Sequence, residues 1–406
     1  MLNPDRVRAC AAYVLEKARY TIEHFQPRPP GSVGEAELQR WVLDELNACT
    51  DDAYTQPFLV APKAFMGQQR VAGIFILAAV AAYWVNAWLA LAFSALAVTV
   101  LIFELVLYKQ FIDPFFRKRE SSNVCGRIAP SGLTRRRIIL NGHPDAAYEW
   151  RFLYRFPKIL PLFVVSSLLG LLLVFVIDLC FAFFGGWQDG YQGLWLYLGI
   201  LQAVLAPTAF IGILWTDFRH VSPGANDNLT GTFIVTGIAR QMHEAGLRLE
   251  NTEVLFLVTG SEEAGLRGSK AWCNVHAEEM EDVETIFLAL DTFRDLDHLV
   301  IYNRDLNGTV AHDPRVCKLL KDAGAACGRD LPYGTVFLGS SDGTAATQAG
   351  IAACAFAAMD PAPADWYHNR RDHWSNMDEE CVRVTVEVVC QAMRQFDAEG
   401  LPGSES

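Results

Sequence analysis

Glu253-Val-Leu-Phe-Leu-Val-Thr-Gly-Ser-Glu-Glu263 is the stretch on which the fold turns. An apolar, β-prone run is closed by a Thr-Gly-Ser turn that delivers two adjacent carboxylates. Short apolar runs bounded by turn residues are the pattern of strands buried on both faces of a parallel sheet. Thr285-Ile-Phe-Leu-Ala-Leu290 repeats the pattern and runs into Asp291. Outward from these two, residues 123–128, 136–140, 298–302 and 352–357 also read as strands. Helical spacing covers 4–25, 35–47, 229–243, 266–276 and 379–396. Strands alternating with helices predict an α/β fold, a mostly parallel mixed sheet with helices on both faces. In such sheets the site lies beyond the C-terminal ends of the strands, where this sequence places its ionisable residues.

Composition narrows the function classes. The 406 residues are 51% apolar and 20% charged, with 34 Lys and Arg against 46 Asp and Glu, a net charge of -12. An acidic chain lacks the clustered cations that phosphate neutralisation requires, so no nucleic-acid partner is expected. The apolar fraction excludes disorder over most of the length. The ten cysteines are placed singly, without a C-x-x-C pair, which argues against a zinc knuckle or a disulfide framework and fits a reducing compartment. Met1-Leu-Asn-Pro-Asp-Arg6 lacks the apolar core of a signal peptide.

Two regions carry almost no charge. Val71 to Phe103 has no Asp, Glu, Lys or Arg, and the apolar run continues to Tyr108; 159–177 and 194–216 are equally bare, separated by a polar patch at 185–193. A helix needs about 20 apolar residues to cross the hydrocarbon core. Residues 71–108 are therefore expected to form one transmembrane hairpin, turning near Trp84-Val-Asn-Ala-Trp88, and 159–216 a second, four spanning helices in all. Residues 1–70, 109–158 and 217–406 would together make one catalytic domain. Lys63, Arg70, Lys109, Arg117, Lys118, Arg119, Arg151, Arg155, Lys158 and Arg219 all flank the long segments, and the connecting loops have no Lys or Arg. The positive-inside bias then puts the domain and both termini in the cytoplasm, as in a multi-pass protein of a bacterial inner membrane. Glu104 and Asp178 are expected at the interfaces, within reach of water.

Five short motifs bear on chemistry. Leu140-Asn-Gly-His-Pro-Asp145 ends a strand, and residues two apart on an extended chain share a side, so Asp145 can hold one ring nitrogen while the other nitrogen of His143 binds a metal. A surface turn explains the same pattern. Asp227 in Gly224-Ala-Asn-Asp-Asn228 could bridge two cations or simply cap a helix. Glu262 and Glu263 repel unless a cation lies beside them. One as metal ligand and the other as general base resolves this, and a solvated loop does so too. Asp291 closes the next strand, and His368 lies in Trp366-Tyr-His-Asn-Arg-Arg-Asp372, with His373 as competitor. Together they make a cysteine-free oxygen and imidazole set suited to zinc, or to cobalt or manganese, with enough ligands for two ions.

The succession H-x-D, G-A-N-D-N, E-E after an apolar strand, L-D and Y-H-x-x-x-D resembles the M28 family of co-catalytic zinc peptidases. Arg28-Pro-Pro-Gly-Ser32 and Ser122-Asn-Val124 are similar to it as well. The likeness spans about 20–66, 120–150 and 217–398 and is nearest to multi-pass members interrupted by membrane hairpins. It implies an M28-type zinc-exopeptidase fold and two Zn2+ ions, one held by His143 and Asp291, the other by Glu263 and His368, with Asp227 bridging. It also implies Glu262 as general base, Asp145 as the group orienting His143, and a peptide as substrate at the bilayer surface. An aminopeptidase is the expectation. The family also includes carboxypeptidases, glutaminyl cyclases and metal-free membrane scaffolds. One departure is Ser341-Asp342-Gly343, where members often read S-D-H.

Overall fold

The apolar runs form the middle of a nine-stranded sheet among the described residues of the computed structural model, which are 2–185, 188, 190–360 and 364–403. In chain order the strands are β1 (Asp52–Val60), β2 (Arg119–Ile128), β3 (Arg136–Gly142), β4 (Thr252–Val258), β5 (Glu284–Phe293), β6 (Leu299–Asp305), β7 (Val310–Ala311), β8 (Tyr333–Thr335) and β9 (Ala352–Ala358). They lie in the order β1-β2-β4-β3-β5-β9-β6-β8, with β7 on β6. The centre is parallel (β4-β3-β5-β9) and β1, β2 and β6 run antiparallel to their inner neighbours. The mixed, mostly parallel sheet expected from the sequence is therefore present, with most expected strands a few residues longer. β1 was not legible: it is amphipathic, contains Pro57 and pairs with β2 on one side only, as a proline-bearing edge strand must.

Alternate side chains of the central strands feed opposite faces. Ile138, Leu140, Val254, Phe256 and Val258 pack with helices Pro4–His24, Thr230–Glu244 and Glu379–Glu399. Ile139, Leu255, Leu257 and Phe287 pack with Trp272 of helix Arg267–His276 and Ala345 of helix Asp342–Gln348. Full coverage of both faces explains why these strands read as continuous apolar runs.

The chain divides into two compact units: Met1–Pro62, Lys118–Ala147 and Val221–Ser406 form the first, Lys63–Arg117 and Tyr148–His220 the second. The second holds four helices long and apolar enough to cross a membrane, Ala64–Tyr83, Ala87–Val106, Pro157–Phe183 and Leu194–Leu214. The first starts seven residues before the charge-free run, because its opening turn includes Gln68, Gln69 and Arg70. Arg70 donates to the carbonyls of Ile213 and Thr216 at the end of the fourth helix, where a cation offsets the helix dipole. Asn86 caps the second helix through the Leu89 N–H. Small residues (Ala72, Ala79, Ala97, Ala209) line the helix contacts, as in close-packed membrane helices, whereas Leu162, Val165, Leu172 and Phe183 face outward. Part of the expected 185–193 loop lies outside the described residues.

Two expectations need correction. Glu104 and Asp178 are buried rather than interfacial. Glu104 accepts the Ile112 N–H at 2.8 Å, and Asp178 accepts from the Gln202 amide at 2.6 Å. One oxygen of each carboxylate is thus bonded inside the helix cluster.

Candidate metal centre

Parallel register sets the site. Gly142 of β3 pairs with Val258 of β4, and Asn141 with Ala289 of β5, so the C-terminal ends of three neighbouring strands open at one edge. His143 and Asp145 leave β3 there, Glu262 and Glu263 follow β4 after one turn, and Asp291 sits near the end of β5. Asp227 comes from the turn before helix Thr230–Glu244, whose start is sewn to β5: Asn228 Nδ2 donates to the Leu290 carbonyl and its Oδ1 accepts from Thr292 N–H. This seam needs Gly231, since a Cβ there would stand 2.2 Å from the Leu290 oxygen. His368 arrives on the loop after β9.

Two groups of possible ligand atoms result. His143, Asp227 and Asp291 offer atoms all within 4.8 Å of one another, and so do Asp227, Glu263 and His368. Asp227 belongs to both: Oδ1 lies 3.5 Å from His143 Nε2, and Oδ2 lies 3.0 Å from His368 Nε2. Glu263 Oε2 is 3.2 Å from the same His368 nitrogen, and Glu262 Oε2 is 3.8 Å from His143 Nε2. His373, the competitor for His368, instead caps the Trp374–Asn376 turn.

The electrostatics call for a cation. Glu262, Glu263, Asp227 and His143 are all buried, and carboxylates packed this closely repel one another. Burial pushes Glu262 well above the usual carboxyl range, with Asp342, Glu263 and Asp291 adding to it against the pull of His143. Burial likewise raises Glu263, to about 7. Burial alone would lower His143, but Glu262, Asp145 and Asp291 override it and raise the imidazole well above its ordinary value. His368 is raised to about 10 in the same way, by Glu263 and Asp227 against burial. Protons are held where a divalent ion would serve better. His143 Nε2 and Glu263 Oε1 are buried atoms without a hydrogen-bond partner among the described residues, as metal-directed atoms would be. The donor set, two imidazoles and carboxylate oxygens, fits zinc.

Comparison with known proteins agrees with this architecture. Residues 215–393 match the family model described as Peptidase family M28. An aminopeptidase from Aneurinibacillus sp. strain AM-1 superposes with a TM-score of 0.57 at 15% identity, over 97% of this chain and 96% of that one. This is the fold of peptidase family M28. A zinc aminopeptidase from Bacillus subtilis gives the same score and identity over 98% and 96% of the two chains. An Acidobacteriales glutaminyl cyclase gives 0.55 at 13% identity over 96% and 95%. No curated protein sequence matches the chain.

Within this M28 fold, buried acids and one buried arginine fix the segments that carry the candidate ligands. Asp145 faces His143 Nδ1 at 3.4 Å and accepts the backbone N–H groups of Glu262 and Glu263, both at 3.0 Å. Asp372 accepts from Asn226 N–H, Asn226 Nδ2 and Asp227 N–H. Arg28 and Glu35 bind the same loops, at the Pro144, Pro223 and Gly224 carbonyls and at Ser261. Asp372 and Arg28 stand in motifs that the sequence shows, but sequence reasoning gave them, like Glu35, no role, because their partners are mostly backbone groups far along the chain. It named Asp342 in the Ser341–Gly343 departure without a role; the residue is buried, accepts from Thr259 Oγ1, and is pushed up by burial to about 6.

At Gly343, where the sequence departs from S-D-H, a histidine lies close by. A Cβ there would lie 3.2 Å from His312 Cε1, and His312 is locked between Asp305 Oδ2 and Thr347 Oγ1. The imidazole packed beside Gly343 thus comes from position 312. A third group of possible ligands, Glu149, Asp217 and His220 in the smaller unit, already has a cation of its own, Arg151, 3.3 Å from Asp217.

Proposed function

We propose that the chain is a membrane-anchored, cytoplasm-facing metallopeptidase with two zinc ions, acting as an aminopeptidase. The observation that carries this is the double position of Asp227, one carboxylate oxygen toward His143 and the other toward His368. His143 and Asp291 would hold one ion, Glu263 and His368 the other, and Asp227 both. Bound there, the ions supply Lewis acidity that activates water and stabilises a developing oxyanion.

The chain's own residues do the rest. Glu262, raised by its buried and acidic surroundings, is suited to take the proton of the attacking water and return it to the leaving amine. Asp145 keeps Glu262 and Glu263 in place through their N–H groups, and Asp372 does the same for Asp227. The four apolar helices anchor the domain to the bilayer, with the basic flanks setting its side.

The test is hydrolysis of a small panel by the full-length protein in detergent: free dipeptides, their N-blocked forms, and a peptide beginning with glutamine. Cleavage of free but not N-blocked peptides supports an aminopeptidase. Turnover of N-blocked peptides would make it a carboxypeptidase, and cyclisation of the glutaminyl peptide a cyclase. A zinc-loaded protein inert on all three would be a scaffold.

A further inference from the structure

Two buried ionisable side chains in the Arg28–Glu35 turn take no part in the chemistry above. Arg28 is 3% exposed and Glu35 1%. Burying ionised groups is expensive unless every donor or acceptor is used. Arg28 directs Nε to the Pro144 carbonyl at 2.9 Å and Nη2 to those of Pro223 at 2.7 Å and Gly224 at 3.3 Å. Its own carbonyl accepts the Ala146 N–H at 2.9 Å. Pro144 lies between His143 and Asp145, and Gly224 opens the loop that carries Asp227. One guanidinium therefore ties together two segments some 80 residues apart in sequence.

Glu35 grips the third segment. Its Oε1 accepts from Ser261 N–H at 2.6 Å and Ser261 Oγ at 3.0 Å, while Oε2 accepts from Gly31 N–H at 2.6 Å. Ser261 directly precedes Glu262 and has a φ of +53°, a conformation that needs outside support in a residue with a Cβ. Ser32 caps helix Val33–Cys49 through the Glu35 N–H at 3.1 Å, which fixes the separation of the two side chains. The charges of Asp372 and Asp145, the two carboxylates that orient the ligand loops, act on Arg28 as well.

We propose that Arg28 and Glu35 are positioning residues, a single brace that sets the spacing of the three loops carrying His143, Asp227 and Glu262-Glu263. Its effect on catalysis presupposes the two-zinc peptidase proposed above; its effect on loop rigidity does not.

The test compares full-length wild type with Arg28→Lys and Glu35→Gln in detergent, by amide hydrogen exchange and by zinc affinity in chelator competition. Lysine keeps the charge but not the fork, and glutamine keeps the shape but turns one of two acceptor oxygens into a donor. Arg28→Lys should speed exchange in 144–147 and 222–229 and leave 259–266 near wild type. Glu35→Gln should do the reverse. Each should weaken zinc binding about 10- to 100-fold and lower kcat more than it raises KM. Should Arg28→Lys fail to fold, Arg28→Gln, which keeps an amide donor, gives the same readout. Unchanged exchange, or a uniform rise across the whole domain, would overturn the brace. A wild type that binds no zinc would remove the proposed function, while the exchange pattern would still decide the brace.

Discussion

Asp372 Oδ2 accepts the backbone N–H of Asp227 at 3.0 Å, so the residue shared by both ligand groups is held by its main chain and its carboxylate is left to face the two histidines. The same device recurs at Asp145 with Glu262 and Glu263. Carboxylates placed through their backbone N–H groups keep their side-chain oxygens turned to the site.

Replacing Glu262 by Gln keeps the size and removes the base. The variant should retain its zinc content and lose about 10²- to 10⁴-fold in kcat. Metal analysis alongside a dipeptide assay checks this; wild-type turnover in the variant would sink the assigned role.

Asp145→Asn turns one of two acceptors toward the Glu262 and Glu263 N–H groups into a donor. A loss of about 10- to 100-fold in zinc affinity should follow, read by chelator competition. Unaltered affinity would mean that Asp145 orients nothing.

Gly231→Ala would press a methyl group against the Leu290 carbonyl, 2.2 Å away. The expected loss is about 1–3 kcal/mol, seen as a lower thermal midpoint. An unchanged midpoint would show that the seam between β5 and the Asp227 loop yields easily.

The metal-free protein should lose stability as pH rises. Burial holds Glu35 at about 8, with Asp145 adding to it, and Asp342 at about 6. The unfolded chain gives up such protons at about 4. From there up to these raised values the folded state binds more protons, so its stability falls with increasing pH. His368 at about 10 acts in the same direction above the ordinary imidazole range. The midpoint of chelator-treated full-length protein should drop between pH 5.5 and 8, and Glu35→Gln should flatten the slope. A midpoint that climbs over that interval contradicts the assignment.

How much was legible depended on where each residue's partners lie. The central strands could be read because burial on both faces forces continuous apolar runs such as 253–258. The four apolar helices could be read because each holds a long run with few or no charged residues. His143, Asp227, Glu263, Asp291 and His368 stood out because each follows a strand or turn with a chemical signature. The roles of Arg28, Glu35 and Asp372 could not be read, even where a motif contained the residue, since carbonyls and N–H groups far along the chain are what they bind. β1 stayed hidden because an edge strand with one exposed face and a proline resembles a loop.

The central claim is a two-cation site shared through Asp227, and zinc stoichiometry tests it most directly. Purified full-length protein should bind two zinc ions per chain, falling to one or fewer in Asp227→Asn with the fold intact by circular dichroism. A wild type with no zinc, or an Asp227→Asn variant that still binds two, would contradict it.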